Sequence, residues 1–504
     1  MNILINLMAA VLLFGFAYII WNYAKGLKDS PREIWILFGA KLIEYAAYGA
    51  SNMTFVLYLS EDCGLGDVEA GSYIGTWSTL LTCFSILVGS VVDAVGIRKT
   101  LVIGMTFLLI GRFVMPFTSN LWTATFFAFI PVAAGNALLG PVLSVGIKKF
   151  TTKTSSTLGF GLFYTLMNTG FALGGYIFDK TRSVIGEHSS VKIPLFQINM
   201  STYQIIFAVS FLLSVPTLLL ILLMREGVQM KEDGSIVADT SVSSGKGTFS
   251  EILPAVKKTG VDTFIIMKNV FTERPFWVYL FMLGILVFIR LVFYHFHYTF
   301  PKYGIRILGE GVKIGNIYGI LNPVLIIFLV PVIAHLTKEV RSYTMLTFGT
   351  AVSALSIFIA ALPPSLFSPF TKTWIGDLIF IRWLELGPDK ENPIIFGLIL
   401  FVIIFTIGEA IWSPRLFQFS AEIAPEGKEG TYLALSYLPY FLAKMIAGPL
   451  SGWLISNYAP ANASSFPHQH MIWIWIGIMS AFSPIGLLIF RKTFQKAENR
   501  KDSE

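Results

Sequence analysis

Apolar runs of bilayer length recur along the whole chain of 504 residues, separated mostly by short polar connections. A hydrocarbon core takes roughly 20 helical residues to cross. Lipid offers no partner to an open backbone N–H or C=O, so runs of this kind must be helical. Twelve spans are expected, at about residues 34–60, 71–94, 99–118, 121–147, 157–180, 203–224, 276–300, 314–336, 342–362, 394–420, 431–456 and 470–490. A further apolar run, 2–23, comes first and is followed by Lys25, Lys28 and Arg32. A cleaved leader carries its bases before the apolar core, so this run reads as a retained extra helix. With 54% hydrophobic and only 13% charged residues, the chain is an integral membrane protein and not a soluble enzyme.

The net charge of +7 does not point to nucleic acid, because the bases lie in short clusters between spans. Arg98/Lys99, Lys148/Lys149/Lys153, Lys338/Arg341 and Arg491/Lys492/Lys496 fall on alternate connections, which makes that side cytoplasmic. The longest polar link, Arg225 to Arg274, joins the same side and divides the spans six and six. The expected organisation is an extra N-terminal transmembrane helix (1–30), an N-terminal six-helix bundle (31–225), a cytoplasmic linker (226–274), a C-terminal six-helix bundle (275–492) and a cytoplasmic tail (493–504). Within the linker, 249–271 has the pattern of an amphipathic surface helix. Outside, 363–393 carries Trp374, Phe380 and Trp383 among charges and reads as interfacial, since another crossing would reverse every later span. Cys63 and Cys83 give no disulfide framework. Two equal bundles on one link are the pattern of a rocking secondary transporter, and no repeated filter or charge ring suggests a channel.

Charges inside the spans are the candidate functional groups, because an ionisable side chain in lipid costs about 2.5–3.5 kcal/mol and so faces a cavity or a partner. In the tenth span Glu409 is followed at i+3 and i+4 by Trp412 and Ser413, on one helical face. In the first, Lys41, Glu44, Tyr48 and Asn52 share a face with Tyr45 at its edge, and Lys41 and Glu44 are expected to neutralise each other. Tyr164 and Asn168 stand one turn apart in the fifth, where a phenol and an amide can read a polar ligand or bond between helices. The seventh carries Arg290, Tyr294, His297 and Tyr298 on one face with His295 turned away; His297 is a candidate proton carrier and Tyr298 a candidate outer gate. Arg112, Arg415 and Lys444 also break the apolar pattern, Arg415 as a structural or snorkelling group. Asn322-Pro323 and Pro331 mark a kink or cavity-lining turn in the eighth span.

Gly89 to Lys99, GSVVDAVGIRK, lies between the second and third of the twelve spans and resembles the signature of the major facilitator superfamily, with Gly89, Asp93, Gly96, Arg98 and Lys99 in the expected gating positions. Three further segments resemble the proton-dependent oligopeptide transporter (peptide transporter) family. They are FYTLMNTGFALGG at Phe163 to Gly175, LNPVLIIFLVPVIA at Leu321 to Ala334, and GEAIWSP…FSAEIAP at Gly408 to Pro425. The resemblance implies an all-α membrane protein of the major facilitator fold and a proton-driven symporter of di- or tripeptides, with Tyr164, Asn168 and Asn322 binding peptide and Glu409 receiving its amino terminus. The charge motifs depart from that pattern. The first span reads Lys41-Leu42-Ile43-Glu44-Tyr45 where the family has Glu-x-x-Glu-Arg, and Gly140 stands where a lysine precedes the proline of the fourth.

The expected function is therefore secondary transport by alternating access of a short peptide or related zwitterionic or charged solute. The expected substrate-binding set is Lys41, Glu44, Tyr48, Tyr164, Asn168, Arg290, Tyr298, Asn322, Glu409 and Trp412, and Glu44, His297 and Glu409 are the proton-coupling candidates. The driving force is a proton gradient with no cofactor, the partners are solute, protons and lipid, and the chain is expected as a monomer in the plasma (inner) membrane. An anion exchanger or exporter of the same fold, or a non-transporting sensor or assembly partner, is the alternative. No nucleophile motif, metal-ligand set or phosphate loop suggests an enzyme.

Overall fold

The computed structural model describes residues 2–86, 88–194, 197–238, 274–387, 391–423, 435–436 and 438–498. Helix α1 (Asn2–Gly26) precedes the first bundle. That bundle contains α2 (Arg32–Glu61), α3 (Asp67–Ile86), its continuation α4 (Val88–Val95), α5 (Ile97–Val114), α6 (Leu121–Lys149), α7 (Lys153–Ile185) and α8 (Thr202–Leu222). The second contains α9 (Arg274–Tyr298), α10 (Gly315–Leu336), α11 (Ser342–Ala361), α12 (Pro393–Ile423), α13 (Leu438–Tyr458) and α14 (His470–Ile489), and the short amphipathic α15 (Arg491–Glu498) ends the described chain. Two hairpins, β1–β2 (Ser190–Ile193 with Ile198–Ser201) and β3–β4 (Val228–Met230 with Ile236–Ala238), lie in the connections.

Nine of the described helices are long and apolar enough to cross a membrane by length and composition alone. Among the helices outside that set are α2 and α7, which carry several of the polar and charged residues singled out from the sequence. The expected spans are recovered within a few residues, except that 157–180 extends at both ends, 71–94 is divided into α3 and α4, and the described helix within 431–456 begins at Leu438, with 431–434 and 437 outside the described residues. The connection 363–393 does not cross again: it is a series of short turns, with exposed Leu366, Phe370 and Trp374, laid over α12 through Phe380 against Phe396. The expected surface helix 249–271 lies outside the described residues.

Within each bundle the apolar faces close on one another; between bundles, contact runs along two seams, α3 with α13 and α7 with α10. Both seams are built from glycine, because only a missing side chain lets backbones approach so closely. A Cβ on Gly175 would sit 2.9 Å from the Gly315 carbonyl oxygen, and one on Gly71 would run into the carbonyl of Gly448. Helix α1 lies against α7, with Tyr23 over Gly161, and also reaches Phe328 of α10 through Gly15, so it touches both bundles beside one seam.

The polar ties between bundles concentrate at one end, away from the basic loops. Asp67 at the start of α3 accepts from Lys302 (2.7 Å) and from both terminal nitrogens of Arg306 (2.8 and 2.9 Å), and Arg306 also donates to the Ala459 carbonyl. At the α7–α10 seam, Asp179 accepts from the backbone N–H groups of Gly315 (2.8 Å) and Asn316 (2.6 Å), the free donors of the first turn of α10. Arg182 holds Asp179 at 3.2 Å, grips Glu187 at 2.6 Å and reaches the Val312 carbonyl, while Tyr203 donates to Glu187. These groups are buried, and the two carboxylates share the Arg182 guanidinium and are otherwise satisfied by backbone N–H and phenol donors. At the opposite, basic end, Arg98 and Lys99 follow the left-handed turn at Gly96 (φ 81°) and bind Glu226, and Arg225 binds Glu33, all within the first bundle and its outgoing connection. The surroundings of Gly89 and of the Asp93 side chain, which complete the expected gating motif, lie outside the described set.

The closed end therefore depends on backbone approach at the seams. Gly71→Val is expected to push that end apart. In a background lacking Cys63 and Cys83, cross-linking between cysteines placed by Ser78→Cys and Tyr298→Cys should slow by roughly tenfold or more if the valine biases the equilibrium away from the closed end. An unchanged rate counts against the seam as the closing surface.

Candidate functional site

Polar side chains of the two bundles face one another at mid-helix across a boundary, the cleft, that leaves several of them partly accessible. From the first bundle come Tyr48 on α2 and Tyr164 and Asn168 on α7; from the second come Arg290, Tyr294, His297 and Tyr298 on α9, Tyr318 and Asn322 on α10, Glu409 and Trp412 on α12, and Tyr440 and Lys444 on α13. Tyr164 lies within electrostatic reach of Glu409, Arg290 and Tyr440, and Tyr294 within reach of Tyr48, so the facing is across the bundle boundary. Tyr48, Tyr164, Tyr294, His297, Tyr440 and Lys444 keep part of their surface accessible although they sit deep in the helices.

Glu409 forms no ion pair among the described residues. Its carboxylate accepts from Asn322 Nδ2 at 2.8 Å, and the same amide nitrogen donates to Thr406 at 2.9 Å. The position of Asn322 follows from local backbone chemistry: Pro323 has no N–H to give to the preceding turn, and α10 opens there into a wide π turn over Gly315–Ile320. Arg290 is 2% exposed, donates from Nη2 to Ser413 at 3.1 Å, and lies over the rings of Tyr440 (3.8 Å) and Trp412 (4.2 Å). Its Nε has no hydrogen-bond partner. Trp412 is itself fully buried and serves as the floor under Arg290.

The expected neutralisation of Lys41 by Glu44 does not occur. Glu44 pairs with Arg112 of α5 at 2.7 Å, and Ser214 of α8 bonds both members. A planar guanidinium from a neighbouring helix can meet the carboxylate end-on, whereas the i,i+3 lysine leaves along its own helix. Lys41 instead packs over the rings of Tyr45 (3.6 Å) and Phe163 (3.9 Å) and does not snorkel to the surface. Within the described residues, no carboxylate lies within 4.0 Å of Lys41, Arg290 or Lys444.

The remaining expected residues are placed as follows. Asn168 donates to its own helix at the Tyr164 carbonyl (3.0 Å). Tyr298 bonds Ser78 across the bundle boundary at 2.9 Å, and Asn52 is buried. His297 binds the Phe293 carbonyl through Nδ1 (2.8 Å), faces the ring of Tyr318 edge-on and lies within electrostatic reach of Lys444. His295 points to Thr299 and, through it, to Ser451. Arg415 is tied to Thr337 and Gln418, away from Glu409. Cys63 and Cys83 are both free thiols.

Sequence reading passed over Tyr440 and gave Arg112 no partner. The signal for Arg112 was present, since a buried acid and a buried base on different spans of one bundle must find each other. Tyr440 lies in an ordinary apolar run and carries no such mark. The Asp179–Arg182–Glu187 cluster was visible only as an i,i+3 acid–base pair at the end of a span.

The folding pattern agrees with solved structures over nearly the whole chain. A peptide transporter POT in complex with sulfate matches with TM-score 0.65 at 16% identity, covering 93% of this chain and 96% of that one. A POT family transporter in complex with 5-aminolevulinic acid matches with TM-score 0.63 at 16% identity (92% and 97%), and another in complex with a thioalcohol-conjugated peptide with TM-score 0.65 at 15% identity (93% and 99%). Identity this low establishes a shared fold and leaves the solute open. No curated protein matches the chain by sequence. Residues 37–387 match the Major Facilitator Superfamily, and the two bundles, their glycine seams and the polar cleft between them accord with that match: the chain belongs to the Major Facilitator Superfamily of secondary transporters.

Proposed function

We propose that the chain is a proton-coupled symporter of a short peptide or a related small zwitterion, working by alternating access. The observation that carries this reading is the presence of opposite but unjoined charges on the second bundle's side of the cleft: Glu409 on α12, held by Asn322, and Arg290 on α9, held by the Ser413 hydroxyl and by aromatic residues. Both are buried with spare hydrogen-bonding capacity, which an incoming ammonium and carboxylate satisfy together. Tyr164, Asn168, Tyr48 and Asn322 line the path between them and set the orientation of the solute. The far end is closed in this state by Asp67 with Lys302 and Arg306 and by Asp179 on α10, so the cleft faces the basic, cytoplasmic side.

In this reading Glu409 is the principal proton carrier. Protonated, it is released from its demand for a cation; ionised, it holds the solute's ammonium, and only such a difference between states can drive exchange. His297, beside Lys444, is the second candidate. Glu44 is committed to Arg112, which favours a role in holding α2 against α5 and α8. Helix α1 is taken to cross the bilayer beside the α7–α10 seam, with the monomer in the plasma (inner) membrane.

In proteoliposomes with an imposed inward proton gradient, uptake of Ala-Ala is expected to rise about tenfold over the no-gradient control and to lose that dependence in Glu409→Gln. Gradient-independent uptake rejects the proton-coupled version. Glu44→Gln leaves Arg112 as an uncompensated buried charge and is expected to cost about 3–5 kcal/mol of stability. The double variant Glu44→Gln/Arg112→Met should recover much of the lost melting temperature. If Glu44→Gln abolishes gradient dependence with no fall in melting temperature, Glu44 is a carrier and not a strut.

A further inference from the structure

Resting on the transport reading, we infer that the preferred solute is acidic: it carries one ammonium and at least two anionic groups, and so enters with net negative charge. The inference comes from the charges left over once the internal pairs are removed. Glu44 and Arg112 cancel within the first bundle, and Arg415 is occupied by the Thr337 carbonyl and Gln418. What remains toward the cleft is Glu409 against Arg290 and Lys444, while Lys41 is a further cation left without a described carboxylate inside the first bundle.

Lys444 and Lys41 are neutralised by no described carboxylate. Lys444 lies on α13 beside the α3 seam, where its own backbone carbonyl is 3.5 Å from the position of a Cβ on Gly75, and its ammonium is 5.5 Å from the Tyr294 ring. Lys41 is 2% exposed and meets only the faces of Tyr45 and Phe163. Ring faces hold a cation in place without cancelling its charge. A buried ammonium without a counter-ion is costly, and the cost is recovered when an anion arrives. A simple zwitterion satisfies Glu409 and Arg290 and leaves both lysines as they were. A second anionic group on the solute, reaching Lys444 from Arg290 along the face of α9 and α13, removes that cost. Arg290 and Lys444 are held on adjacent helices by Tyr440 and Tyr294, so the two anionic groups belong on one small molecule.

The test compares three probes of equal size class, Ala-Ala, Ala-Lys and Ala-Glu, on the purified full-length chain by ligand-induced thermal stabilisation across a concentration series. Ala-Glu is expected to bind roughly tenfold more tightly than Ala-Ala, and Ala-Lys most weakly. Lys444→Gln should narrow the Ala-Glu advantage to under about threefold, while Lys444→Arg retains it. Should Lys444→Gln fail to fold, Lys444→Met supplies the same comparison at the same position. Ala-Ala binding as tightly as Ala-Glu overturns the inference and leaves the peptide reading standing. Stabilisation by none of the three overturns both. An Ala-Glu advantage that survives replacement of Lys444 also overturns the assignment, because the selectivity then arises elsewhere.

Discussion

The cost of holding a charge away from water organises this molecule more than any single packing contact does. Among the described residues, the charged groups inside the helices fall largely into three sets. Some are paired outright, as Glu44 with Arg112 and Arg182 with Glu187. Some are tied to backbone, as Asp179 on the N–H groups at the start of α10 and Arg415 on the Thr337 carbonyl. A third set, Glu409, Arg290, Lys41 and Lys444, is given only amides, hydroxyls or ring faces. The first two sets hold elements together. In the proposed function, the capacity left in the third set is what a transported solute uses.

The two bundles are joined by surfaces of different character. Glycine seams let α3 meet α13 and α7 meet α10 at backbone distance, which yields dense packing with few side chains to rearrange when the bundles rock. The ionic ties sit at the far end, where Asp67 and Asp179 each reach from the first bundle to donors of the second. At the basic end the ion pairs remain inside the first bundle and its outgoing connection. A molecule with pairs of this kind at one end and none crossing at the other among its described residues is arrested in one half of an alternating cycle.

Much of the candidate site could be read one helix at a time. Glu409 with Trp412, Arg290 with Tyr294 and His297, and Tyr164 with Asn168 are each fixed by helical periodicity, so their shared faces followed from spacing. The pairing of Lys41 with Glu44 was inferred by the same rule and did not form, because adjacency on one helix sets only which side chains are near and not which partner has the better geometry. Arg112, from α5, brings Nη1 to 2.7 Å from Glu44 Oε1, and Ser214 of α8 joins the pair. No rule of spacing within α2 contains that outcome.

The sequence by itself determined the class: bilayer-length apolar runs leave only helices, alternating basic connections orient them, and the long polar link sets six against six. Those properties are local or additive along the chain, which is why they survive without coordinates. The tertiary structure decided which charges are spent and which are left over, that Glu409 rests on Asn322, that Tyr440 and Trp412 flank Arg290, and which end is shut. Such choices are settled by competition between partners on different helices at distances of a few ångströms, and a linear pattern carries no record of those distances.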